Sequence, residues 1–73
     1  MSQQTDELTK LVAVATDMVM DRKLRANAIK LIGDIGSHEA LLSLLSLAAN
    51  EQLTRKDREL ALKYAMSIVK AGK

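Results

Sequence analysis

The sequence predicts an all-α protein, built as four antiparallel helices in two stacked helical hairpins. Three observations carry that expectation. The chain has 73 residues and no proline. Apolar residues make up 48% of it, and apart from one Tyr they are aliphatic or Met, with neither Phe nor Trp. These residues recur at the three-and-four spacing of a helix face in four segments, each bounded by polar or glycine residues.

The first helix is expected over about 5–20. Leu8, Leu11, Val12, Ala15, Met18 and Val19 form its apolar stripe. Asp6 and Glu7 fall in its first turn, where the positive end of the helix dipole favours carboxylates. Asp21 reads as the N-cap of a second helix over 22–35, with Leu24, Ala28, Leu31, Ile32 and Ile35 on its buried side. Gly36 follows as the residue that takes a left-handed conformation at the helix end.

Ser37 is expected to cap a third helix over 38–50, with Glu39 in the first turn. Its leucines, Leu41, Leu42, Leu44, Leu45 and Leu47, spread around most of the circumference and leave only a narrow strip of Ser43, Ser46 and Asn50. Thr54 opens the fourth helix, over 55–71, and Thr54-Arg55-Lys56-Asp57 resembles a capping box with Asp in the Glu position. Leu60, Ala61, Tyr64, Ala65 and Ile68 are its expected buried face, and Gly72 its end. Loops of one to four residues make successive helices antiparallel neighbours. The chain is thus one domain, residues 1–73, with no linker or low-complexity segment.

An internal repeat is visible between the second and fourth helices. Arg25 and Arg58 lie 33 positions apart, and the same offset matches Ala28 with Ala61, Ile29 with Leu62, Ile32 with Ala65 and Ile35 with Ile68. Periods of this length with two helices per unit mark helical repeat arrays. The run from Leu24 through Lys30-Leu31-Ile32-Gly33-Asp34-Ile35-Gly36 and on to about Leu45 resembles the HEAT-type repeat, with an aliphatic residue and Arg, small residues, then an aliphatic-Gly-x-Ile-Gly ending. The resemblance implies a fragment of an α–α superhelix, two repeats at most, and protein binding as its use. In it, Gly33 would admit a neighbouring helix closely. The fourth helix lacks the internal glycine of that pattern, and a generic four-helix bundle is the alternative architecture.

Composition limits the chemistry. Without cysteine there are no disulfides or thiolate metal sites, and the lone His38, in the first turn of the third helix, has no nucleophile arrangement around it. Asp17 and Asp21 are spaced to share a helix face, but Asp21 reads as a cap and Asp17 as solvated surface. Gly33-Asp34-Ile35-Gly36 closes a helix, whereas phosphate-cradling loops open one. No enzyme activity, cofactor, metal or small-molecule substrate is expected. The start, Met1-Ser2-Gln3-Gln4, has no signal-peptide character, and no apolar run approaches the ~20 residues of a membrane span. A cytoplasmic protein without membrane partners is the expectation.

A domain this small buries only about 60% of its unfolded surface, so oligomerisation or docking on a partner is the remaining source of stability. The third helix is the expected place: a helix apolar nearly all round needs cover on nearly all sides. Leu41, Leu42, Leu45 and Leu47 are the candidate partner interface, for another protein or for self-association. Met18, Met20 and Met66 are expected to fill the core. Net charge is +2. Arg22, Lys23 and Lys30 on the second helix and Lys56, Lys63 and Lys70 on the fourth form stripes that could contact phosphates, which makes a nucleic-acid-associated factor the alternative function. The lack of stacking aromatics argues against single-strand binding.

Overall fold

The computed structural model describes residues 3–71, with side chains from Asp6 onward. These residues form four helices and no strand: α1 (Gln3–Ala15), α2 (Arg22–Ile35), α3 (His38–Ala48) and α4 (Arg55–Lys70). Gly72 and the Met1-Ser2 start lie outside the described residues. No helix among the described residues is long and apolar enough to cross a membrane.

Three of the expected punctuation marks act as their chemistry dictates. The Ser37 hydroxyl accepts from the Ala40 N–H at 3.1 Å, and the Thr54 hydroxyl from the Asp57 N–H at 3.1 Å. Gly36 closes α2 at φ 66°, a conformation that a Cβ makes costly. Two others differ. Asp21 holds the N-cap position of α2, yet its carboxylate makes no cap bond there. The Asp57 carboxylate does not complete a capping box, because it is bonded elsewhere.

α1 ends at Ala15, five residues before the expected Met20. The cause is local. The Thr16 hydroxyl bonds back to the carbonyls of Val12 and Ala13 at 2.9 and 3.2 Å, and the Asp17 carboxylate accepts from the Val19 N–H at 3.0 Å. Short polar side chains that satisfy nearby backbone in this way compete with the helix. Met18 and Val19 therefore point to water rather than extend the stripe, Val19 being 95% exposed.

The hairpin pairing follows from which residues share clefts. Glu7, Lys10 and Leu11 of α1 border Leu31, Asp34 and Ile35 of α2, so these helices are antiparallel. Ala48 at the end of α3 borders Arg58 and Leu62 near the start of α4, again antiparallel. α2 and α4 instead run parallel. Arg25 meets Asp57 near both N-termini, Gly33 abuts Tyr64, and Gly36 faces Ile68 toward both C-termini. The second helix of one hairpin is thus stacked in register on the second helix of the other.

Small residues make that approach close. A Cβ on Gly33 would lie 3.0 Å from the Cβ and ring of Tyr64. Ala15, Ala28, Ala40, Ala61 and Ala65 are all buried, around a centre of Ile29, Ile32 and Leu44. The loop residue Leu53 also belongs to the buried core.

The face of α2 that is buried is turned from the one expected. Arg25, Ala28, Ile29 and Ile32 are inside, whereas Leu24 and Leu31 are half-exposed. α4 causes the rotation, because it packs along the Arg25–Gly33–Gly36 row. On α4, Asp57, Ala61, Ala65 and Ile68 are buried, with Leu60 and Tyr64 packed partly against them.

A buried ion pair joins the two hairpins. Arg25 Nε donates to Asp57 Oδ2 at 3.0 Å with both side chains buried, and Arg25 Nη1 donates to the Met20 carbonyl at 2.6 Å. Breaking a buried pair from one side strands a charge, so Asp57→Ala is expected to cost about 3–5 kcal/mol in urea unfolding. The double variant Arg25→Met with Asp57→Leu is expected to lose less than the single one. A double variant as unstable as the sum of both single changes would contradict this account.

Candidate interaction surface

The four leucines expected to meet a partner divide. Leu47 is buried in the core and Leu41 packs partly against it, so neither forms a free surface. Both belong to the side of α3 that joins the common core with Leu44 and Leu53. Leu42 and Leu45 remain open, 53% and 43% exposed.

The larger open apolar row lies on α4, where periodicity alone did not place it. Leu62, Met66 and Val69 follow the i, i+4, i+7 spacing of one helix face and are 46%, 51% and 56% exposed. Met66 is therefore surface, as is Met18, and Met20 is only partly buried. Ala48 of α3 borders Leu62; Leu45, one turn back, is also open, whereas Leu42 lies about 120° further round α3 from Ala48. The open apolar row is thus the one on α4, with Leu45 and Leu42 exposed separately on the neighbouring α3.

Arginines border that row. Arg55, Arg58 and Glu59 precede Leu62 on the same side of α4, and with Ala48 they line a groove of about 230 Å³. Arg55 pairs with Glu59 at 3.4 Å in full solvent, a contact of little energetic weight. Arg58 is different. Its Nε is buried, and none of the described residues accepts its hydrogen bond.

The six basic residues expected to contact phosphates are all exposed, and the structure gathers some of them. Arg22, Lys56 and Lys63 line one groove between α2 and α4, floored by Ala26 and Leu60. Lys63 and Lys70 border a second, beside Leu62, Met66 and Ser67. Lys23 and Lys30 line neither. Glu59 stands in both grooves, so each carries mixed charge. At the opposite end of the molecule, Leu31 forms an apolar cleft with Leu11 and Ile35, rimmed by Glu7, Lys10 and Asp34.

His38 is exposed in the first turn of α3. Among the described residues no three His, Asp or Glu side chains converge in a way that could hold a metal ion. The chain matches no protein-family model, and comparison with curated proteins and with solved structures returns no match. Its own geometry carries the functional argument.

The contrast between Arg25 and Arg58 is measurable in the free protein. Arg25→Met removes the partner of a buried carboxylate and is expected to cost about 3 kcal/mol. Arg58→Met removes a buried donor that has no partner, and is expected to leave stability unchanged or raise it by up to about 1 kcal/mol. Chemical unfolding of the two variants tests this; equal destabilisation would contradict it.

Proposed function

We propose that this chain is a non-catalytic protein-interaction module that docks a partner protein on the outer face of α3 and α4. The observation that carries the proposal is the row of Leu62, Met66 and Val69 along α4, all large, apolar and about half-exposed, with Leu42 and Leu45 also exposed on the neighbouring helix α3. Single exposed leucines need no explanation, but a row of large apolar side chains along one helix of so small a protein is characteristic of an interface. The row is also long enough to receive an amphipathic helix through anchors at i, i+3, i+4 and i+7.

The resemblance of Leu24 to about Leu45 to HEAT-type repeats supports the same reading, since such units work as scaffolds for protein partners. The parallel stacking of α2 on α4 suits a repeat architecture of that kind. The mixed charge around Lys56, Lys63 and Glu59 makes the phosphate-binding alternative weaker.

The test is affinity capture from extracts of the native host with the wild-type chain, Leu62→Glu with Met66→Glu, and Leu24→Glu on another face. A partner retained by wild type and Leu24→Glu, and lost by the α4 double variant, is the expected result. Capture that survives the α4 change, or is lost only with Leu24→Glu, would move the interface elsewhere.

A further inference from the structure

We propose that the partner received on α4 presents a helix with a carboxylate near its N-terminus, and that Arg58 pairs with this carboxylate as Arg25 pairs with Asp57. The proposal rests on the α3–α4 face being the interface, and it adds the register and charge of what binds there.

The internal interface is the template. Along α2, the row Arg25, Ile29, Gly33 and Gly36 faces α4: Arg25 bonds Asp57, Gly33 abuts Tyr64, and Gly36 borders Ile68. Moved by the repeat offset of 33, that row becomes Arg58, Leu62, Met66 and Val69 of α4. These are the residues of the open row and the arginine at its head. Ile29 is fully covered where Leu62 is half-exposed, and Arg25 has its carboxylate where Arg58 Nε has none. α4 therefore offers outward an arginine-headed apolar row in the same phase as the inward row of α2, with Met66 and Val69 where α2 has the glycines that admit α4 closely, and with no described acceptor for Arg58 Nε.

The same offset decides against a second copy of the chain stacked in the same way. In that arrangement α2 of the second copy would lie on α4, and the residue at Asp57's position would be Leu24. Burying the Arg58 guanidinium against a leucine desolvates it with only Glu59, already paired with Arg55, in the same groove, and a buried charge without its own counter-charge is unfavourable. Leu24 and Leu31 on that end supply apolar area but no carboxylate in register. A partner helix with Asp or Glu at that position supplies both.

The chain itself can serve as the probe. Leu24→Asp places the missing carboxylate on α2, half-exposed and in the first turn, where the helix dipole favours it and folding is undisturbed. Sedimentation velocity of wild type, Leu24→Asp and Leu24→Asn from micromolar to millimolar concentration reads the effect. The expected result is head-to-tail association of Leu24→Asp at least about tenfold tighter than wild type or Leu24→Asn, abolished by adding Arg58→Gln or Leu62→Glu. Leu24→Asp with Leu62→Glu, which can donate but not receive, is expected to bind wild type one to one.

Association of Leu24→Asp no tighter than wild type, or association indifferent to Arg58→Gln, would overturn the proposal. So would a wild-type dimer that Leu62→Glu dissolves, since the occupant would then be a second copy. The two readings fail separately. If host capture depends on Leu62 and Met66 while Leu24→Asp stays monomeric, the interface stands and only its carboxylate register falls.

Discussion

The buried pair of Arg25 and Asp57 is the constraint from which the rest of the arrangement follows. Apolar packing between helices is tolerant of small rotations and slides, because many leucine and alanine placements bury similar area. A guanidinium and a carboxylate, both removed from water, are not tolerant. They must meet, and in meeting they set which row of α2 faces α4 and how far one helix is displaced along the other. The Met20 carbonyl, bonded to the same guanidinium, ties the α1–α2 loop into this arrangement. Close approach of Gly33 to Tyr64 is the apolar counterpart further along the same two helices.

Once the register of α2 on α4 is set, the asymmetry of the molecule is set too. The inward row of α2 is covered by α4, whereas Leu62, Met66 and Val69 of the corresponding row of α4 stay about half-exposed. A core this small and rich in alanine leaves few large side chains inside, and Leu42, Leu45, Leu62, Met66 and Val69 stay partly in water. The free protein thereby forgoes burial that a partner would supply. Arg58 marks the same asymmetry in polar terms: the arginine repeats along the chain, but its carboxylate does not.

Much of the fold was legible in the sequence. Helices α2 and α4 lie within a residue of the expected bounds, because Gly36, Ser37 and Thr54 are strong punctuation with a single physical reading each. α1 was overextended because Met18 and Val19 continue its apolar spacing. What stopped it was the side-chain chemistry of Thr16 and Asp17, which spacing does not register. The phase of α2 was misjudged for a related reason: apolar residues lie on two of its sides, Leu24 and Leu31 on one and Ile29 on another. Periodicity identifies an amphipathic helix without saying which neighbour comes closest. Arg25 sat in the sequence one turn ahead of Ala28 and Ile29, and a charge at the head of an apolar stripe was the available sign of a buried pair. The candidate surface was half legible. The leucines of α3 point to a helix on which Leu42 and Leu45 stay exposed, but the row on α4 emerges only once α2 is known to occupy the opposite face.

The central claim is that α3 and α4 carry an uncovered apolar face in the free protein while the equivalent row of α2 is sealed. Methyl relaxation by a soluble paramagnetic agent, recorded on the dilute wild-type chain, tests it most directly. The account predicts strong relaxation of the Leu42, Leu45, Leu62, Met66 and Val69 methyls, with Ile29, Ile32 and Leu47 protected. Protection of Leu62 and Met66 comparable to that of Ile29 would contradict it.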